Sequence, residues 1–125
     1  MPARPGDIFW ISPTKTKGID SDHRHPHVVI QVHAQNIVNV CALTSKLKRA
    51  KDLGNVLLER GEADLSKQSV ILVSRMTVMY ETQFGEYIGT ISEQRIQQVL
   101  AGIRFVQSMT RHPYKETLNK KEVVL

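Results

Sequence analysis

The sequence predicts a mainly β domain, of the barrel or sandwich kind, that carries one C-terminal helix. Three observations lead there. Several short runs rich in Val and Ile are bounded by Pro, Gly, Asn, Asp and Ser. No stretch of helical period falls between them, so crossover helices and a parallel sheet are not expected. One capped apolar stripe of helical spacing follows the last run. At 125 residues, with no shift in composition between its halves, the chain has the size of one domain and can bury roughly two-thirds of its unfolded surface.

In chain order, Gly6-Asp7-Ile8-Phe9-Trp10-Ile11 is β-branched and aromatic between Pro5 and Ser12-Pro13, and reads as a short, largely buried strand. Residues 14–27 are polar, hold Gly18, Asp20, Ser21 and Asp22 beside His23, His25 and His27, and show neither period, so they read as a long functional or mobile loop. Val28-Val29-Ile30-Gln31-Val32 reads as a central strand covered on both faces. A turn near residues 34–36 leads to a strand over 37–44, which ends at a basic loop beginning with Ser45. Residues 55–58 form a shorter strand, 61–66 a turn, 69–80 the longest strand and 86–90 the last. Ser92 then suits an N-cap, Glu93 places negative charge in the first turn, and Ile91 can meet Ile96 as a hydrophobic staple. Ile96, Val99, Leu100, Ile103 and Val106 make a stripe that packs on the core. The domain is expected to span residues 1–108, with 109–125 as a basic tail.

Lys and Arg number 17 against 12 Asp and Glu, a formal charge of +5 that favours a polyanionic partner. The excess is concentrated at Lys46, Lys48, Arg49 and Lys51 and again at Arg111, His112, Lys115, Lys120 and Lys121. Cys41 is the one cysteine, so no internal disulfide forms and a reducing, cytoplasmic setting is expected. The opening residues lack the apolar run of a secretory signal, and no run approaches the roughly 20 apolar residues of a membrane helix. No membrane partner is expected.

Chemistry can be sought in two places. In an extended segment His23, His25 and His27 project from one side about 7 Å apart, next to Arg24 and Asp22. They can supply a general acid or base, or stand in an ordinary exposed loop; a metal site lacks a cysteine or a further ligand at zinc spacing, so no metal and no cofactor are expected. Thr44 and Ser45 end a strand immediately before Lys46, Lys48 and Arg49, where a hydroxyl can donate to a phosphate oxygen whose charge the cations offset. A local bond to the backbone is the alternative at such a junction. Phosphate-loop, nucleophile-elbow and zinc-protease motifs are absent. Cys41 reads as a buried, inert thiol between Val40 and Ala42, and Trp10 as core or rim packing.

The order of these segments resembles the MazF/PemK family of type II toxin–antitoxin ribonucleases over about residues 6–106. Gly6-Asp7-Ile8-Phe9-Trp10 resembles the family's opening R-G-D/E-I/V-Y/W strand, with Pro5 in place of the arginine. His25-Pro26-His27-Val28-Val29-Ile30 is similar to the R-P-V-V-I strand start, Ala42-Leu43-Thr44-Ser45 to the A/P-I/V-T-S/G segment, and Ser69-Val70-Ile71-Leu72 to S-V-I-L/V. Ile88-Gly89-Thr90-Ile91-Ser92 resembles the I-G-T-L-S entry to the last helix.

The resemblance implies an SH3-like barrel of the PemK/CcdB kind with a C-terminal helix packed on the sheet, assembled as a homodimer and neutralised by a cognate antitoxin protein. It also implies metal-independent cleavage of single-stranded RNA, the ribose 2′-hydroxyl attacking the adjacent phosphate. The family's catalytic threonine corresponds to Thr44, whereas His25 stands where the arginine of R-P-V-V-I is found and Arg24 lies one place earlier. His25, Arg24 and Thr44 are therefore the expected catalytic residues, and Ser45, Lys46, Lys48, Arg49 and Arg75 the expected RNA-binding ones. Where many relatives show D/E-Q-I/P-R-T, this chain reads Ser74-Arg75-Met76-Thr77-Val78. These departures also admit a degenerate member of the same fold that binds RNA or protein without cutting.

Overall fold

The architecture comes from a computed structural model that describes residues 2–12 and 24–111. Strands β1 (Asp7–Ile11), β2 (His25–Val32), β3 (Ile37–Thr44), β4 (Val56–Leu58), β5 (Ser69–Tyr80) and β6 (Phe84–Thr90) are followed by helix α1 (Glu93–Arg111). The strands form one sheet in the order β4-β5-β3-β2-β1-β6, and every neighbouring pair is antiparallel. The mainly β expectation, with one C-terminal helix packed on the sheet, holds. No described helix is long and apolar enough to cross a membrane. His23, His112, Lys115, Lys120 and Lys121 lie outside the described residues.

Alternation along the strands gives the sheet two apolar faces. On one, Ile8, Val28, Cys41, Leu43, Ile71 and Val73 are buried with Val99 and Ile103 of α1, as the helical stripe predicts. On the other, Val29, Val38 and Val40 pack with Ala3, Phe9, Met79 and Phe84. Ser92 caps α1 by accepting from the Arg95 amide at 3.1 Å, and Ile91 and Ile96 converge over Gly6, which is the expected staple. Cys41 is fully buried, and burial pushes its thiol up to about 12, so it stays protonated and inert.

Four expectations are corrected. The loop does not extend to residue 27: His25, Pro26 and His27 are strand, because β1 offers Ile11, Trp10 and Phe9 as partners to them. Coverage on both faces belongs to Ser69–Val73 in β5, not to all of residues 28–32, since Gln31 and Val32 run past the core into solvent. Order in α1 continues to Arg111, beyond the apolar stripe. The last strand also begins earlier, at Phe84, whose ring stacks on Phe9 with centroids 4.6 Å apart.

Bulges bend the sheet where β1 meets β6, β2 meets β3, and β3 meets β5. The largest lies in β5, which carries Leu72, Val73, Ser74 and Arg75 between the partners of Leu43 and Cys41, where β3 carries only Ala42. Bending brings the two edges of the sheet together, but β4 and β6 do not pair. The 3₁₀ turn Glu62–Asp64, which follows β4, closes the gap by resting on β6. There the Ala63 carbonyl lies against Gly89, leaving no space for a Cβ. Ala63 and Asp64 take positive φ of 51° and 61° to reach this position. Glu62 holds the turn in place: its two carboxylate oxygens accept from Arg95 Nε at 2.8 Å and Nη2 at 2.9 Å.

Gly89→Ala is expected to lower unfolding free energy by about 1–3 kcal/mol through overpacking against the Ala63 backbone, read as a lower urea midpoint at unchanged slope. The Arg95 hydrogen bonds hold the Glu62 carboxyl below its ordinary 4.5. Its contribution to stability is therefore present above that pH and lost as the pH falls through the lowered value. Glu62→Gln is expected to be less stable than the parent at pH 7 and to converge with it in acid. A constant difference in urea midpoint across the acid range would show that the pair does not stabilise the fold.

Candidate active site

Two clefts open at the end of the sheet where β1 finishes, β2 starts and β3 finishes, and they meet at His25 and Thr44. The β2–β3 register pairs His27 with Ala42. Carried two residues further, it sets His25 opposite Thr44, and both residues line both clefts together with Leu43 and Lys46. Two residues far apart in sequence thus share one edge because adjacent antiparallel strands end together.

The first cleft has a volume of about 470 Å³. Pro26, Leu43, Leu65 and Ile88 give it apolar walls, with Trp10, Arg24 and Ser45 beside them and Lys46 at the meeting line. The segment Asp64–Lys67 forms its far side, held there by the closure of the 3₁₀ turn against β6. The Arg24 guanidinium lies 5.3 Å from the centroid of the Trp10 ring, a cation–π contact that limits where this exposed side chain can go.

The second cleft, about 490 Å³, lies on the sheet face that carries Ala42, Thr77 and Met79. Its charged lining among the described residues is Lys46, Arg49 and Arg75, with His25 and His27 alongside and no acid. Arg75 reaches it because the β5 bulge stands opposite Ala42. Arg49 belongs to the 3₁₀ turn Leu47–Lys51, which Asn55 ties to β5 by donating to the Arg49 carbonyl at 2.9 Å and accepting from the Val73 amide at 3.0 Å. The guanidinium of Arg49 donates to Asp52 at 2.6 Å, so part of its charge is already offset.

Thr44 makes the local bond that the sequence left open as an alternative: its Oγ1 accepts from the Lys46 amide at 3.2 Å. An accepting hydroxyl still has its hydrogen to donate. The same bond turns the chain so that Lys46 serves both clefts. His27 Nδ1 lies 2.9 Å from the His25 carbonyl, and because a carbonyl only accepts, Nδ1 carries the hydrogen and Nε2 keeps its lone pair in the neutral ring. Burial is the main influence on His27 and lowers its pKa from the ordinary 6.5.

Of the eight residues singled out from the sequence, Arg24, His25, Thr44, Ser45, Lys46, Arg49 and Arg75 line one or both clefts. Lys48 lines neither and stands exposed on its turn. Sequence reasoning passed over Trp10 as packing and Asp64 and Ser66 as part of a plain turn, and gave Lys67 no role. The approach of residues 64–67 to the site depends on the Ala63–Gly89 contact, which no local pattern announces. Among the described residues no group of three or more His, Cys, Asp or Glu side chains converges as a metal site would.

The family model for PemK-like, MazF-like toxin of type II toxin-antitoxin system matches residues 4–106. An endoribonuclease MazF from Staphylococcus saprophyticus is 26% identical over 100 residues, which is 77% of this chain and 83% of that protein. Among solved structures, an endoribonuclease in complex with its cognate antitoxin from Mycobacterial species superposes with a TM-score of 0.64 at 10% identity, covering 83% of this chain and 93% of that one. The Mycobacterium tuberculosis toxin MazF-mt6 gives 0.60 at 16% identity, over 80% and 92% of the two chains. At these identities the two structures show a shared fold.

His27 is expected to titrate below 6.5, with the charged form disfavoured by burial, when its ring carbons are followed by NMR against pH. Protonation then favours the unfolded chain, so this residue adds stability that falls as pH drops below 6.5. A midpoint above 6.5 would mean that the cleft receives the charged ring.

Proposed function

Because the chain belongs to the PemK-like, MazF-like toxins of type II toxin–antitoxin systems, we propose that it cuts single-stranded RNA, mRNA included, where its two clefts meet. The observation that carries this reading is the shared position of His25 and Thr44: a proton-transfer group and a hydroxyl donor opposite each other, where a cleft lined by cations with no acid among the described residues meets one in which cations and Asp64 surround apolar walls. A polyanion lies along the first kind of surface, and a base fits the second.

In this mechanism the 2′-hydroxyl oxygen attacks the adjacent phosphorus and the bond to the 5′-oxygen breaks, giving a 2′,3′-cyclic phosphate and a 5′-hydroxyl. The attacking hydroxyl loses a proton and the leaving oxygen gains one. His25 serves one of these transfers as base or acid. The Thr44 hydroxyl donates to a non-bridging oxygen as charge builds in the phosphorane. Arg24, restrained on Trp10, anchors the phosphate. Ser45, Lys46, Arg49 and Arg75 continue the RNA surface, and Lys48 adds positive charge from outside the clefts. No metal ion or cofactor is called for, because the nucleophile is part of the substrate.

The protein works in this reading as a homodimer in the cytoplasm, slows growth by destroying messages, and is neutralised by a cognate antitoxin. The catalytic unit is residues 1–108, with the basic residues 109–125 as an appendage. The His at the arginine position also motivates a second reading, a member that holds RNA without cutting it.

Incubation of the antitoxin-free protein with a long single-stranded RNA in EDTA is expected to give discrete products ending in 2′,3′-cyclic phosphate or 3′-phosphate. His25→Ala should slow their appearance by about 100-fold or more, and Thr44→Val by about 100-fold. Equal rates for His25→Ala and the parent would remove His25 from the chemistry. Salt-sensitive binding with no products would favour the second reading.

A further inference from the structure

We propose that the first cleft is a nucleobase subsite whose reader is Asp64, a carboxylate that selects guanine and rejects uracil next to the cut. The proposal deepens the ribonuclease reading and rests on it.

Asp64 is out of place for a purely phosphate-binding surface. Among the described residues it is the sole acid lining a cleft that also holds Arg24, Lys46 and Lys67, while the neighbouring cleft has cations and no acid. A carboxylate there repels the backbone of a polyanion and weakens the attraction of the cations around it. It has no structural employment to offset this: the side chain makes no hydrogen bond or ion pair among the described residues. Its backbone nevertheless holds a positive φ of 61°, imposed by the contact of Ala63 with Gly89 and the clamp of Glu62 on Arg95. An unpaired, exposed acceptor thus stands on a held backbone at the edge of a pocket with apolar walls.

An ionised carboxylate accepts hydrogen bonds and donates none. Guanine presents N1–H and N2–H side by side on its Watson–Crick edge, matching the two oxygens of one carboxylate. Cytosine and adenine present one amino group beside an acceptor. Uracil presents a single imino hydrogen between two carbonyls, both repelled by the carboxylate. Single-stranded RNA leaves this edge free to be read, and Trp10 with the apolar walls accommodates the ring.

The test uses the full chain and two probes: random-sequence RNA with its cut ends mapped, and a pool of random 2′-O-methyl RNA octamers, which bind but cannot be cut. Asp64→Asn is the informative variant, because Asn tolerates positive φ and keeps the size while exchanging one acceptor for a donor. The parent is expected to prefer guanine over uracil at one position, and D64N to reduce that preference at least fivefold in both probes. An identical base profile for D64N and the parent overturns the proposal, as does a parent that favours uracil at every position it discriminates. If the parent cuts nothing, the ribonuclease reading fails while the octamer pool still decides about Asp64: loss of the guanine preference in D64N supports the subsite, and unchanged selection overturns it.

Discussion

The approach of the Ala63 carbonyl to Gly89 is the constraint on which the rest of this structure depends. A sheet ordered β4-β5-β3-β2-β1-β6 leaves two free edges, and no hydrogen-bonded ladder joins them. Its bulges curl the sheet, yet the barrel is completed by a turn lying across β6 at a point where any Cβ would collide. The turn accepts left-handed backbone at Ala63 and Asp64 to do so, and the two hydrogen bonds between Glu62 and Arg95 secure it to the first turns of α1. Closure by packing and one ion pair leaves Asp64–Lys67 as the wall of a cleft, which a continuous ladder would have filled with strand.

The same geometry separates two electrostatic environments. On the face away from α1, the β5 bulge and the 3₁₀ turn tied down by Asn55 place Arg75 and Arg49 near His25 and His27, where burial keeps His27 neutral at pH 7. On the other side Pro26, Leu65 and Ile88 wall the cleft beside Trp10, and Asp64 interrupts its cations Arg24, Lys46 and Lys67. His25 and Thr44 stand on the line between the two because β2 begins and β3 ends there. Chemistry on a nucleic acid backbone is well served at such a boundary, since phosphate and base are one nucleotide apart and need opposite surroundings.

Several motifs have structural reasons that differ from catalytic ones. Asp7 is buried and holds the Thr90 hydroxyl at 2.7 Å and the Arg4 amide at 2.9 Å, so the opening Gly-Asp and the Gly-Thr before α1 are two ends of one polar latch. Gly6 takes a φ of 96° while its amide and carbonyl bond to β2 and to Ile91. Gly102 and Gly54 allow α1 to settle against the loop after the basic turn, with backbone in contact on both sides. These residues make the site possible without touching it.

The sequence by itself determined the strand segments, the capped helix, its core stripe and the family resemblance, because alternation, capping and turn residues act over a few neighbouring positions. It also marked His25, Thr44 and most of the cations, since strand ends and charge runs are local features. Only the tertiary structure decided that Pro26 and His27 are strand, that four residues of β5 bulge opposite Ala42, and that Asp64 reaches the cleft beside Trp10. Each of these depends on contact between segments distant in the chain, and the pairing energy of β1 with β2, or the fit of Ala63 on Gly89, leaves no periodic trace in either segment alone. Lys48 shows the converse: it shares a basic run with Lys46 and Arg49, but the 3₁₀ turn leaves it outside both clefts.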